Sequence, residues 1–208
     1  MSSREAILTA VRSNQPASGI ALPQVPSFAK ASHFLLNDFR DALIRMGGKF
    51  VEAQAGAALE GLIGVLLPQA EVICSATSEI AGTRSLSAST DPADLADVDL
   101  AIVRAAFGVA ETGSIWLSEQ ELQVNALAYL AQHLVVLLDP NNIVGNLHDA
   151  FGDPRFRTAR YAVLVTGPSA TADIEGVLIH GAQGVRSLTV VPVAKGRIGE
   201  TSGLDPSR

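Results

Sequence analysis

The 208-residue chain is 48% hydrophobic and 17% charged, and fifteen Lys and Arg face twenty-one Asp and Glu for a net charge of −6. A chain of this length buries enough surface to fold as one domain with a small appendage, without disulfide or metal staples. No basic run follows a phosphate backbone, which excludes a nucleic-acid partner, and no stretch approaches the ~20 apolar residues of a membrane span.

One cysteine, Cys74, excludes an internal disulfide and any iron–sulfur cluster held by this chain alone. The opening residues from Met1 to Leu8 mix charge with apolar positions and lack the hydrophobic core of a secretory signal, so a cytoplasmic location is expected.

Ser3 to Arg12 predicts an amphipathic helix with Ile7, Leu8 and Val11 on one side, and Asn14 to Pro26 a linker rich in Pro, Ser, Gly and Gln. Ala29 to Met46 has helical spacing and stops at Gly47-Gly48; Lys49 to Glu52 is a short strand, and Ala57 to Leu67 a helix ending at Pro68. Glu71 to Cys74 is a strand, Pro92 to Ala96 a helical turn, and Val98 to Val103 a buried strand that leads to a turn at Glu111-Thr112-Gly113. Ser114 to Leu117 predicts a strand, Glu121 to Ala131 a helix and Leu134 to Leu138 an apolar strand. Asn142 to Phe151 predicts a short helix with His148 and Asp149 near its end.

Tyr161 to Val165 reads as a strand, Thr171 to His180 as a crossover helix with Ile174, Val177 and Leu178 on one face, and Leu188 to Val193 as the last strand. This alternation predicts an α/β fold with a mostly parallel sheet. The expected organisation is an N-terminal helix and linker over 1–26, the α/β domain over 27–195 and a tail over 196–208.

Two turns offer chemistry. In the first, Glu111, Thr112 and Gly113 follow a buried strand; glycine lets backbone approach a ligand, and a dried carboxylate serves as nucleophile or base. The alternative is a plain hairpin turn with a solvated Glu111. In the second, Gly167, Ser169, Thr171, Asp173 and Glu175 lie where a strand is expected to turn into a helix, whose free N–H groups attract anions and carbonyl oxygens. The alternative is a capped helix start whose acids favour the dipole. His33, His133, His148 and His180 are scattered and lack metal-ligand spacing, so no metal is expected. Cys74 reads as a core residue.

Gly108-Val109-Ala110-Glu111-Thr112-Gly113-Ser114-Ile115 and the later Thr166-Gly167-Pro168-Ser169-Ala170-Thr171-Ala172-Asp173-Ile174-Glu175 together resemble the LUD domain of lactate utilisation protein C and its relatives, formerly a domain of unknown function. Gly181-Ala182-Gln183-Gly184-Val185-Arg186-Ser187-Leu188 is similar to a further family segment, with Gln183 where a histidine is usual and Val185 where a proline is usual. The resemblance implies a three-layer α/β/α fold similar to that of ribose-phosphate isomerase, sugar-phosphate deaminase, formyltetrahydrofolate cyclo-ligase and CoA-transferases.

It also implies an accessory or ligand-binding subunit in the oxidation of L-lactate to pyruvate. Partner proteins would carry the iron–sulfur clusters, and this chain would bind no cofactor itself. Two alternatives stand beside that expectation. One is a non-catalytic module for a small carboxylate or phosphate. The other is a CoA-transferase-like or cyclo-ligase-like enzyme in which Glu111 is catalytic. The expected ligand-binding residues are Thr112, Gly113, Gly167, Ser169, Thr171, Asp173 and Glu175.

Overall fold

A computed structural model describes residues 2–16, 19, 21, 23, 26, 34–52, 59–173 and 175–195. The expected tail over 196–208, the starts of the helices expected from Ala29 and Ala57, part of the linker, His33 and Ile174 lie outside the described residues.

The chain opens with α1 (Ser3–Ser13), which starts at a capping box: Glu5 N–H donates to the Ser2 hydroxyl and Ser2 N–H to the Glu5 carboxylate. None of its residues is buried. α2 (Leu35–Arg45) buries Phe39, Ala42 and Leu43, a single stripe at helical spacing, and leads into β1 (Lys49–Phe50). α3 (Leu59–Leu66), β2 (Ile73–Ser75), a 3-10 turn at Pro92–Leu95 capped by Asp91, and β3 (Leu100–Arg104) follow.

The hairpin of β4 (Phe107–Val109) and β5 (Ser114–Ser118) comes next, then the one-turn helices α4 (Glu119–Leu122) and α5 (Leu127–Leu130), and β6 (His133–Leu138). β7 (Ile143–Val144), α6 (Leu147–Gly152), α7 (Arg155–Thr158) and β8 (Ala162–Val165) continue the chain. A small hairpin of β9 (Ala170–Thr171) and β10 (Ile179–His180) precedes β11 (Ser187–Pro192).

The central sheet has the order β1-β11-β6-β3-β2, with every pairing parallel. Its middle strands are mostly apolar because both faces are covered, with Thr189 buried among them. Ala101, Val103, Leu134, Val136, Leu138, Leu188 and Val190 pack toward Phe39 and Leu43 of α2 and Leu122 and Leu127 of α4 and α5. The intervening residues Leu100, Ile102, Val135, Leu137 and Val191 pack toward Ile63 of α3. This is the mixed α/β fold with a mostly parallel, helix-flanked sheet that the strand pattern predicts.

A second, four-stranded sheet has the order β7-β4-β5-β8 and is mainly antiparallel. Ile115, Leu117, Val163 and Val165 join the main core on one face. On the other, Phe107 stacks on Trp116 with their ring centroids 5.5 Å apart, beside Phe156 of α7.

Three expected helices differ from the structure. The crossover helix over Thr171 to His180 is instead the β9–β10 hairpin. β8 pairs antiparallel with β5 and lies outside the central sheet, so no parallel crossover is needed between β8 and β11. Glu175 and Gly176, at φ 54 and 72, reverse the chain there, and Val177 and Leu178 point outward. The helix over Glu121 to Ala131 starts earlier, at the Ser118–Glu121 capping box, and breaks at Gln123 with φ 59. The helix over Asn142 to Phe151 begins only at Leu147, because Ile143 and Val144 pair with Gly108 and Val109 and the Asn146 side chain caps at Asp149 N–H. His148 and Asp149 therefore lie in its first turn.

Candidate functional site at the carboxyl ends of the parallel strands

Strands of one sense release the chain at one rim, and in open α/β sheets ligands sit outside that rim. Here β2 runs out to Thr77 and Glu79, β3 ends at Arg104, β6 gives way to Asp139 and β11 to Lys195. These residues line one side of a cleft of about 560 Å³. Gln120 and Glu121 of α4, Asn142, and Arg155 of α7 line the rest.

Arg104 and Glu79 form a two-pronged ion pair, with side chains 16% and 13% exposed. Arg104 Nη1 also donates to Val193 O at 3.1 Å, so three of its five N–H donors are engaged and two remain. Burial pushes the Glu79 carboxyl up. Hydrogen bonds from Arg104 and Thr77, with the charges of Arg104 and Lys195, outweigh that, and the group ends below the usual carboxylate range.

Asp139 is held low chiefly by the backbone N–H groups of Lys195 and Asn141, at 3.0 and 2.9 Å. Arg155 is forked onto Asp153 at 2.9 and 2.7 Å, donates to Ala106 O, and lies 4.9 Å from the Phe107 ring centroid. The Glu121 carboxylate is taken by Ser118 N–H and hydroxyl at 2.8 and 2.6 Å. Among the described residues no ion pair engages the Lys195 ammonium. The carboxylates of the cleft are thus occupied, while Arg104, Arg155 and Lys195 keep donors to spare, which suits a small anion.

The two turns marked by the sequence lie elsewhere. Glu111 sits at the tip of the β4–β5 hairpin, and the cleft lies at its base. The Glu111 carboxylate is exposed and accepts Leu147 N–H at 3.0 Å, while its own N–H donates to Gly145 O at 3.0 Å. Thr112, Ser114 and Thr166 form a hydroxyl chain that joins the two turns, with 2.7 Å between Thr112 Oγ1 and Ser114 Oγ.

The joined turns close onto α2 and its end. A Cβ at Gly113 (φ 68) would stand 2.2 Å from Leu43 N, and one at Gly167 (φ 70) 2.2 Å from Met46 O. These glycines admit helix backbone. Ser169 N–H donates to Val185 O at 3.0 Å and its carbonyl accepts from Gly181 N–H at 2.8 Å. Thr171 Oγ1 donates to Asp173 at 3.0 Å, and Glu175 is exposed in the hairpin turn. None of the residues expected to bind ligand, nor Glu111, lines the strand-end cleft.

Glu79, Arg104, Asp139, Arg155 and Lys195 were not singled out from the sequence. A signal for three of them was present: Arg104, Asp139 and Lys195 each follow closely on an apolar strand run, at the end where a parallel sheet places its ligands. Among the described residues no group of three or more His, Cys, Asp or Glu is placed to hold a metal, and no helix is long and apolar enough to cross a membrane.

The family model of the LUD domain matches residues 92–193. The chain carries a LUD domain. The matched span takes in Arg104, Asp139 and Arg155, together with Glu111 and Ser169, whereas Glu79 precedes it and Lys195 follows it. The fold is also similar to the crystal structure of a DUF162 family protein from Deinococcus radiodurans, DUF162 being the LUD domain family. That likeness has a TM-score of 0.58 at 20% identity and covers 77% of this chain and 96% of the other. No curated protein matches the LUD-domain chain.

Proposed function

We propose that this LUD-domain chain is a ligand-binding subunit of a lactate utilisation system. It works in the cytoplasm beside iron–sulfur partner proteins that carry the electrons, and its ligand is a small carboxylate held in the strand-end cleft. The observation that supports this reading is Arg104: fixed by Glu79, it presents unused guanidinium donors in the cleft that Lys195 also lines, whose ammonium has no ion pair among the described residues. A planar carboxylate matches a guanidinium fork, and a rigid fork loses little freedom on binding. The solitary, buried Cys74 leaves electron transfer to other chains.

The test uses pyruvate, with L-lactate as a second arm, titrated against emission from Trp116. This is the only tryptophan, and its ring lies 5.9 Å from the Arg155 guanidinium. Saturable binding should weaken about tenfold in Lys195→Gln, the loss of one charge-assisted contact. No saturation by either acid would sink the ligand reading. Unchanged lactate oxidation in cells lacking this chain would sink the accessory role.

A further inference from the structure

The opposite rim of the central sheet carries a second cluster that the strand-end cleft does not use. Asp99, His133 and Ser187 stand side by side where β3, β6 and β11 begin, with Leu100 opposite His133 and His133 opposite Ser187 in the register. A hollow of about 340 Å³ opens there, lined by His133, Arg186, Asp99, Gln132 and Gln69, with Leu67 and Pro68 on its apolar side.

The His133 ring is oriented by its Nδ1, 2.8 Å from the Ser187 hydroxyl. Ser187 does not line the hollow, so it acts on the ring and leaves Nε2 as the atom free for a ligand. The stem of Arg186 packs against Gly181, where a Cβ would come 2.5 Å from Arg186 Cγ. Among the described residues neither Arg186 nor Lys49 has an ion-pair partner. The acid lining the hollow, Asp99, already accepts Glu71 and Val72 N–H, both at 2.9 Å, on one carboxylate oxygen. The hollow is thus lined by one cation without an ion pair among the described residues, an imidazole and one engaged carboxylate, and the charge of Lys49 also acts on the imidazole.

We propose that this rim is a second binding site, for a small oxyanion such as a phosphate or carboxylate group, in which Arg186 and His133 Nε2 donate to the anion and Gln132 and Gln69 complete its shell. The inference is independent of the strand-end cleft. Without an anion, burial and the charges of Arg186 and Lys49 hold the His133 imidazole below its ordinary range, against a smaller upward pull from Asp99. A bound anion reverses that balance, so binding takes up a proton and tightens as pH falls.

The test follows the histidine ring resonances of the full chain while inorganic phosphate, and separately pyruvate, is added at constant ionic strength. His133→Gln identifies the resonance. The His133 signal should shift saturably with at least one of the two anions, and the better one names the ligand chemistry. The apparent affinity should fall about tenfold in Arg186→Gln and recover in Arg186→Lys. It should stay unchanged in Lys195→Gln, which separates this rim from the cleft. A His133 shift that is linear in both anions, matches those of His148 and His180, or survives Arg186→Gln unchanged would overturn the proposal.

Discussion

Glu79 grips the Arg104 guanidinium with both carboxylate oxygens, twenty-five residues apart in sequence and each mostly withdrawn from water. The folded-state pKa of Glu79 is depressed, so its contribution is complete above the ordinary carboxylate range and disappears as pH falls through the folded value. Asp139 acts in the same sense. Thermal melts from pH 7 down to pH 3 should show this loss, with a shallower slope in Glu79→Gln. That substitution should cost about 1–3 kcal/mol at neutral pH, because it strands Arg104 in a cleft still reached by water. The double change Glu79→Leu with Arg104→Met should cost less than the two single changes added together.

Gly113 and Gly167 separate backbone necessity from convenience. Alanine at either position should cost upwards of about 2 kcal/mol, combining a positive φ with collision against helix backbone. Gly61, within α3 and with open space where a Cβ would stand, should gain about 0.5–1 kcal/mol as alanine. Urea denaturation of the three variants checks the sign as well as the size.

Cys74 is fully buried, and burial pushes its thiol up against an opposing pull from Arg84. A thiol-specific disulfide reagent at pH 8 should leave the native chain unreacted for minutes and label one thiol per chain once guanidinium unfolds it. Rapid labelling of the native chain would contradict the placement of this strand.

Val177 and Leu178 are 59% and 60% exposed on the β9–β10 hairpin. Replacing each with serine should change stability by less than about 0.5 kcal/mol. A helix packed on the sheet through these side chains would lose about 2 kcal/mol or more from either change.

The central strands were legible because β3, β6 and β11 are buried on both faces and read as largely apolar runs, broken in β11 only by Thr189 between Leu188 and Val190. Their ends are less distinct: the sequence closes one strand at Cys74, and the structure carries it to Ser75. The helical spacing of Val177 and Leu178 misled because periodicity carries no information on whether a sheet face is available to receive it. Whether β8 belongs to the central sheet is decided by a partner, β5, that lies forty-odd residues away. The two glycine-bearing turns were visible as unusual backbone, but what crowds against them is α2, whose approach no local pattern encodes. The strand-end cleft was overlooked for a similar reason. Its cations and carboxylates come singly from separate strand exits, so no short motif announces them.

The place of β11 in the central sheet bears on how the chain is made. Its two neighbours, β1 and β6, come earlier in the chain, and each lacks this partner until residues 187–192 leave the ribosome. A nascent chain halted before that point holds β6 with one open edge and β1 without a sheet. Native closure of this sheet therefore waits for β11, and a truncation that removes β11 would expose apolar strand edge to aggregation.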